Sequence, residues 1–230
     1  MMTLTIKPFE CQYCSKQFVK ESTLMVHVCE QKRRALAQHE KHVVLGFQTF
    51  DQFYKKTQNF KGAKTYEEFC KSPYYNAFVK FGSFMSNVKP LYPERFIHYV
   101  VTSGTKLDQW CRDDVYDQYV INLIKTESVE TALERSVKHM VSWAESNSAS
   151  WNHYFLYVSR TRAMFDIKDG KISPWVILNS PSGKAMIKEF DDVQLNAVSA
   201  VLDIPYWVSK FKKFPDDLDL VKSIIKESKL

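Results

Sequence analysis

The chain has 230 residues, of which 45% are hydrophobic and 14% aromatic, so it can bury a full-sized core and differs from a typical disordered chain. It lacks a membrane-spanning apolar run, and residues 1–7 do not have the form of a signal peptide, so we expect a cytoplasmic protein with no membrane partner. The net charge of +6 is concentrated in residues 1–60, where nine Lys/Arg face five Asp/Glu, and this favours a polyanionic partner such as nucleic acid.

The first predicted element is a small metal-binding module at residues 9–29. Cys11 and Cys14 form a C-x2-C pair, and His27 follows after a gap of 12 residues. The core positions expected around such a site are also filled, by Phe9, Phe18 and Leu24. This pattern resembles the C2H2 zinc finger, in which a β-hairpin carries two cysteines and a helix carries two histidines. The resemblance implies zinc as the cofactor, since so short a fold depends on its metal.

The fourth ligand departs from the C2H2 pattern. The second histidine of the family would fall at residues 31–33, which read Gln-Lys-Arg and do not bind zinc. Cys29 and His39 are the candidates within reach. A continuous helix would carry His39 roughly 18 Å away, and it would turn Cys29 about 200° from His27. We therefore predict a C2HC site with a helix break near residues 28–30, formed by Cys11, Cys14, His27 and Cys29.

The finger is also the candidate nucleic-acid contact. The base-reading positions of the family fall on Lys20, Ser22, Thr23 and Val26, a set that would discriminate bases poorly. The tract at residues 32–34 follows directly and favours phosphate contacts. We predict that DNA or RNA is contacted, mostly at phosphates, by Lys20, Thr23, Lys32, Arg33 and Arg34. The alternative is a structural or assembly protein whose finger docks onto another protein.

Helices are predicted for most of the remaining chain. Apolar residues at helical spacing predict one long connecting helix at residues 31–57; they are Leu36, Val43, Phe47, Phe50 and Tyr54. Thr65 and Glu68 have the form of a capping box that begins the next helix. Further amphipathic segments predict a mainly helical domain at residues 58–230. The predicted organisation is thus a finger at 1–30, a connecting helix at 31–57 and this helical domain.

One β signal stands out in the helical domain. Two β-prone runs flank Asp169 and Gly170, a pair typical of tight hairpin turns, and this predicts a β-hairpin at about residues 161–178. The predicted fold class is therefore mainly α, with a small N-terminal ββα finger, a long connecting helix and a helical body that carries one hairpin.

The motifs of common enzyme families are missing from the sequence, and we expect no enzyme. Asp113 and Asp117 are typical of a solvated helix face, and His139 of a surface histidine. A third alternative for function, a metal-dependent nuclease, depends on Asp166 and Lys168, which match half of a nuclease motif. No convincing acidic partner precedes that pair.

A wider resemblance extends over most of the chain. The finger with CEQKRR, then KTYEEFCKSPYYNAFVKFG and SPWVI, is similar to an uncharacterised family of large tailed phages of marine bacteria. This resemblance implies a viral protein in the cytoplasm of the infected cell or in the virion. It also implies an accessory role in phage DNA replication, transcription or packaging.

Overall fold

The computed structural model describes residues 9–59 and 61–230, and the chain divides into two compact units, the first ending at Arg112 and the second beginning at Asp113. Residues 1–8 of the predicted finger and Phe60 of the loop after the predicted connecting helix lie outside the described residues. Both units are mainly helical, as predicted, and a small antiparallel hairpin stands at the start of the first. In the described part of the chain, no helix has the length and apolarity needed to cross a membrane.

The first unit contains a two-stranded hairpin and six α-helices among its described residues. The strands β1 (Phe9–Glu10) and β2 (Gln17–Phe18) pair with Phe9 opposite Phe18. The helices are α1 (Glu21–Met25), α2 (Glu30–Leu36), α3 (Lys41–Thr57), α4 (Tyr66–Lys71), α5 (Tyr75–Val88) and α6 (Pro93–Thr102). The predicted capping box is confirmed, because Thr65 accepts from the backbone N–H of Glu68 while the Glu68 carboxylate accepts from that of Thr65.

The core of the first unit is aromatic. Fully or almost fully buried rings pack edge-to-face and tilted between α3, α4, α5 and α6; they are Phe50, Phe69, Phe78, Phe81, Phe96 and Trp110. The helical spacing of Tyr75, Phe78 and Phe81 in the sequence therefore corresponds to a buried face of α5. Such rings contribute both apolar area and favourable ring-edge contacts.

Helices α3 and α5 approach closely because glycines lie at their crossing. A Cβ atom on Gly82 would lie 1.9 Å from the backbone oxygen of His42 and 2.8 Å from the backbone nitrogen of Gly46. A Cβ atom on Gly46 would in turn lie 2.8 Å from the backbone oxygen of Phe78. The two backbones therefore leave no room for a side chain at either position.

The predicted long connecting helix is wrong in its continuity. Helix α2 ends at Leu36, a 3₁₀ turn covers Ala37–His39, and Glu40 is extended before α3 begins at Lys41. Leu36 is exposed, so it does not continue the apolar face that starts at Val43. The physical reason is that α2 and α3 pack on different partners, α4 and α5 respectively.

The second unit consists of helices of varied length. They are α7 (Asp113–Thr126), α8 (Val129–Asn147), α9 (Tyr154–Tyr157), α10 (Arg160–Lys168), α11 (Pro174–Ile177), α12 (Pro181–Lys188), α13 (Asp192–Leu202), α14 (Ile204–Lys213) and α15 (Pro215–Ser228). Buried Arg135 on α8 pairs with both carboxylate oxygens of Glu127, and its Nε donates to the carbonyl of Gly170 at 2.7 Å. The ion pair holds Arg135 against the turn between α7 and α8, and the hydrogen bond to Gly170 connects α8 to the end of α10.

The predicted β-hairpin at residues 161–178 is wrong, because the segment is helical. The Asp169–Gly170 pair ends helix α10. Gly170 has φ +75°, and its N–H donates to the carbonyl of Ile167. The N–H of Lys171 donates to the carbonyl of Asp166 at 2.8 Å. These two bonds form a Schellman motif, in which Gly at positive φ closes a helix. The Asp169–Gly170 pair therefore marks the C-terminus of a helix and not a hairpin turn.

We expect Gly82→Ala to destabilise the first unit by at least about 2 kcal/mol, because the added methyl group meets backbone atoms that cannot rotate away. Hydrogen exchange measured by mass spectrometry would show faster exchange of the α3 and α5 amides. Ser83→Ala on the next position of α5 is the control and should change stability by less than about 0.5 kcal/mol. Equal protection in the Gly82 and Ser83 variants would contradict the close crossing.

Candidate metal centre and nucleic-acid interface

The structure brings together the four predicted metal ligands. The ligand atoms of Cys11, Cys14, His27 and Cys29 all lie within 4.8 Å of one another. The Sγ atoms of Cys11 and Cys29 are 4.0 Å apart, and Cys14 Sγ is 3.3 Å from His27 Nε2. Ligands at the corners of a zinc tetrahedron, with bonds of about 2.0–2.3 Å, are separated by roughly 3.5–4 Å. The cluster is therefore compatible with a zinc site of the C2HC type.

The hairpin positions the first two cysteines. The chain reverses after Cys14, where Ser15 has φ +56° and donates its N–H to the carbonyl of Cys11 at 2.8 Å. The N–H of Cys11 donates to the carbonyl of Lys16 at 3.0 Å, which closes the turn. Phe18 on β2 then packs against the His27 ring at 4.8 Å between centroids. These contacts orient both thiols toward the histidine.

The helix break that we predicted is present, slightly earlier than expected. Helix α1 ends at Met25 and α2 begins at Glu30, so His27 and Cys29 lie on the intervening turn. Cys29 is the N-cap of α2, and its Sγ accepts the backbone N–H of Lys32 at 3.3 Å. The alternative ligand, His39, lies on the later 3₁₀ turn and is not one of the four clustered residues.

The thiols of the C-x2-C pair influence each other. Burial acts to raise the pKa of Cys11, but hydrogen bonds from the backbone of Tyr13 and Cys14 outweigh it and lower that pKa. At Cys14 a hydrogen bond from the backbone of Lys16 acts to lower the pKa, yet burial and the neighbouring thiols raise it overall. One thiolate thus disfavours ionisation of the next, and a bound cation would relieve this repulsion.

The predicted nucleic-acid residues differ in how accessible they are. Lys20, Thr23 and Arg33 are exposed. Lys32 is half-buried, and its ammonium group lies 3.4 Å from the carbonyl of His27, at the edge of the cysteine and histidine cluster. Exposed Lys16 lies on the turn between β1 and β2. The side chains of Lys16, Lys20 and Arg33 are therefore accessible to solvent, whereas the ammonium group of Lys32 is engaged by the His27 carbonyl.

Arg34 is held inside the first unit. Its guanidinium donates to the carbonyls of Cys70 at 2.8 Å and Ser72 at 3.3 Å, and it pairs with Glu30. The guanidinium also lies 4.5 Å from the centre of the Tyr75 ring, and the side chain is only 15% exposed. Since its terminal nitrogens are engaged by Glu30 and by the carbonyls of Cys70 and Ser72, Arg34 serves to dock α2 and is not available to phosphates.

The finger helix also differs from that of a base-reading finger. Helix α1 has five residues, with Lys20 at its N-cap and Val26 at its C-cap. Large apolar side chains around it are strongly exposed; they are Val19, Met25, Val26 and Val28. We call these four residues the apolar finger surface. Of these four, only Val26 was singled out from the sequence. The other three could also have been predicted to be exposed, because none of them occupies the core positions Phe9, Phe18 and Leu24.

A groove lies beside the cluster, between the turn that carries Cys14, helix α2 and helix α4. Its volume is about 780 Å³, and aromatic rings and side-chain amides line it, including Tyr13, His39, Tyr66, Gln12 and Gln31. Rings of this kind can stack on unpaired bases, and amides can bond to base edges. Sequence reasoning could not find this groove, because it depends on the packing of α2 against α4.

The residues of the nuclease alternative do not form an open metal site. Asp166 and Lys168 lie on helix α10, where residues two apart point to different sides. Asp166 is fully buried and accepts hydrogen bonds from Tyr154, Arg162 and Lys171. Lys168 instead pairs with Asp117 at 3.6 Å. The nuclease alternative requires Asp166 and Lys168 on a β-strand, and both residues lie on helix α10 instead.

No protein-family model, curated protein or solved structure matches this chain.

Arg34→Ala should destabilise the first unit by about 2–3 kcal/mol, because it leaves two backbone carbonyls without their donor and removes the contact with Tyr75. Arg33→Ala is the matched control, since Arg33 is exposed, and should change stability by less than about 0.5 kcal/mol. Urea unfolding with hydrogen exchange resolved to the first unit measures both. Equal losses in the two variants would contradict the docking role of Arg34.

Proposed function

We propose that the cluster of Cys11, Cys14, His27 and Cys29 binds zinc and that the metal holds the N-terminal segment in a fold that contacts nucleic acid. The observation that carries this proposal is the approach of all four ligand atoms to within 4.8 Å of one another. Three thiols and one imidazole are the donor set that favours zinc among biological cations. The backbone N–H of Lys32 bonded to Cys29 Sγ supplies a supporting contact of the kind that orients a metal ligand.

The proposed nucleic-acid surface consists of Lys16, Lys20, Thr23, Lys32 and Arg33. Except for half-buried Lys32, these side chains are exposed, and the four cations bring positive charge to the hairpin, α1 and α2. Binding through them is electrostatic and mostly independent of sequence, because α1 is short and Val26 offers only methyl groups. The groove lined by Tyr13, His39 and Tyr66 gives unpaired bases a place to stack.

We propose a protein that acts by binding and not by catalysis. The phage resemblance described above adds a setting for this role, an accessory protein of phage DNA replication, transcription or packaging. In this setting, a basic zinc module would attach the chain to DNA or RNA while the helical units serve other contacts.

A second candidate function follows from the apolar finger surface. Val19, Met25 and Val26 are 82%, 75% and 78% exposed within one short segment, and exposed apolar patches are typical of protein contact sites. In this reading the zinc module docks onto a protein partner in an assembly. Val19→Ser with Val26→Ser would abolish that docking and leave nucleic-acid affinity unchanged, so the pair of valines separates the two functions.

We expect one zinc ion per chain, measured by elemental analysis after dialysis. Cys29→Ser should lower metal affinity by at least about tenfold, because it removes one of the four donors. Co²⁺ titration would report the same loss through the thiolate charge-transfer band. His39→Ala is the control and should retain both the stoichiometry and the band; a loss of metal in this variant instead of in Cys29→Ser would overturn the ligand assignment.

Nucleic-acid binding should weaken linearly in log affinity against log salt concentration. Replacing Lys16, Lys20 and Arg33 with alanine should reduce the magnitude of that slope by about 2–3, since each phosphate contact contributes about 0.7–0.9. Fluorescence anisotropy with single-stranded and double-stranded DNA and RNA provides the measurement. The control removes exposed Lys222 and Lys226 of α15. An unchanged slope in the triple variant would contradict the proposed surface.

A further inference from the structure

The second unit contains a pocket next to the buried carboxylate of Asp166. The pocket has a volume of about 530 Å³ and lies among helices α8, α9 and α10. This volume falls within the range of small-molecule sites. Its lining includes His139, Ser142, Ser146, Ser159 and Arg162, and it contains no acidic residue. The lining is therefore polar, and Arg162 brings a positive charge to it.

Asp166 fixes the guanidinium of Arg162 at this pocket. The Nε atom of Arg162 donates to Asp166 Oδ2 at 2.8 Å. The carboxylate is itself immobilised, because it is fully buried and accepts the Tyr154 hydroxyl at 2.9 Å and the Lys171 ammonium group at 3.2 Å. His139 Nε2 lies 2.9 Å from the same oxygen. Arg162 is thus held by a rigid support on one edge.

The other edge of Arg162 is open. Its side chain is 57% exposed, and its two terminal nitrogens make no hydrogen bond within residues 9–59 and 61–230. An arginine held through Nε presents both terminal N–H groups in the planar fork that matches two oxygens of a phosphate. Burial acts to raise the pKa of Asp166, but the bonds from His139 and Arg162 hold that pKa well below its usual range. The carboxylate of Asp166 therefore stays ionised and keeps its ion pair with Arg162.

The charges on the α10 side of the pocket favour an anion. Helix α10 begins here with Ser159 as its N-cap, and its first turn carries Arg160 and Arg162 but no acidic residue. Arginines at the positive end of a helix are unfavourable in isolation, because acidic residues are preferred there. A bound anion would offset both the helix dipole and these charges. Ser142 and Ser146 of α8 also line the pocket, and the Ser146 hydroxyl donates to the carbonyl of Ser142 at 3.0 Å.

The pocket also has an aromatic side. Tyr157 lines it and is 68% exposed, so its ring is accessible to a ligand. Trp143 lines it as well, and its position is fixed by an edge contact with Tyr154 at 5.2 Å between ring centres. Two rings beside an anion subsite suit a ligand that joins a phosphate to a flat ring.

We propose that this pocket binds a small molecule that carries a phosphate group and a planar ring. The phosphate lies on the terminal nitrogens of Arg162 and the serine hydroxyls, and the ring lies against Tyr157 and Trp143. Asp166 is a positioning residue, which acts only through Arg162. This site is independent of the zinc module and of its contact with nucleic acid.

Isothermal titration of the full chain with inorganic phosphate, adenosine 5′-monophosphate and adenosine tests the proposal. We expect phosphate to bind, the nucleotide to bind at least about tenfold more tightly, and adenosine to bind more weakly than the nucleotide by a similar factor. Arg162→Gln should abolish binding of both phosphate compounds. Arg160→Gln, which removes the same charge from an arginine bonded to the carbonyl of Glu189, should weaken binding by less than about threefold.

Arg162→Gln also removes the ion pair with buried Asp166, so a second variant tests the pocket without changing that pair. Ser146 is exposed on α8, so Ser146→Glu should leave thermal unfolding unchanged while its carboxylate repels the phosphate and lowers affinity by at least about tenfold. Equal affinity in Ser146→Glu and the unmodified chain, or no binding of phosphate by the unmodified chain, would overturn the site. Phosphate binding without any gain for the nucleotide would overturn the aromatic part of the proposal.

Discussion

The N-terminal segment depends on the cluster around Cys11, because it has almost no core of its own. Among residues 9–42, Cys11 is the only buried side chain. Two strands of two residues each and a helix of five cannot be stabilised by apolar burial on that scale, since the entropy of ordering the chain is larger. The side-chain contacts that hold the hairpin and α1 together include the four converging ligands and the ring contact between Phe18 and His27. A metal bound there would convert its binding free energy into folding free energy.

Cys29 connects this cluster to the rest of the first unit. The residue belongs to the cluster through its Sγ and also caps helix α2, so the direction of α2 is set by the cluster. One turn later, Arg34 fixes the same helix against α4 and α5. The two arginines of the basic tract therefore differ in environment: Arg33 is exposed to solvent, whereas Arg34 packs against α4 and α5. Adjacent arginines can thus have separate roles, because neighbouring residues on a helix point about 100° apart.

Much of the candidate site could be predicted from spacing, because the constraints are local. The angle between residues two apart on a helix was enough to predict both Cys29 and the helix break, and the spacing of Thr65 and Glu68 was enough to predict the capping box. The predictions that depended on how α2 packs, namely the continuity of the connecting helix and the availability of Arg34, were wrong. Leu36 matches the period of α3 but is exposed, since α2 turns toward α4. The role of Arg34 and the groove beside Tyr13 could not be read from the sequence, because both arise from the packing of α2 on α4.

The second unit shows how one misread turn can alter a functional hypothesis. Asp-Gly is common both in hairpin turns and at helix ends, because both need a residue at positive φ. As a hairpin, the segment would place Asp166 on a strand next to an open metal site. As a helix closed by Gly170, it places Asp166 one turn before the C-terminus, facing the buried side of α10 between Tyr154 and Arg162. A fully buried carboxylate must keep its partners, since leaving the charge unpaired costs several kcal/mol. Asp166 is therefore paired with cations of its own chain. The group that faces solvent at this position is the guanidinium of Arg162, which Asp166 holds in place.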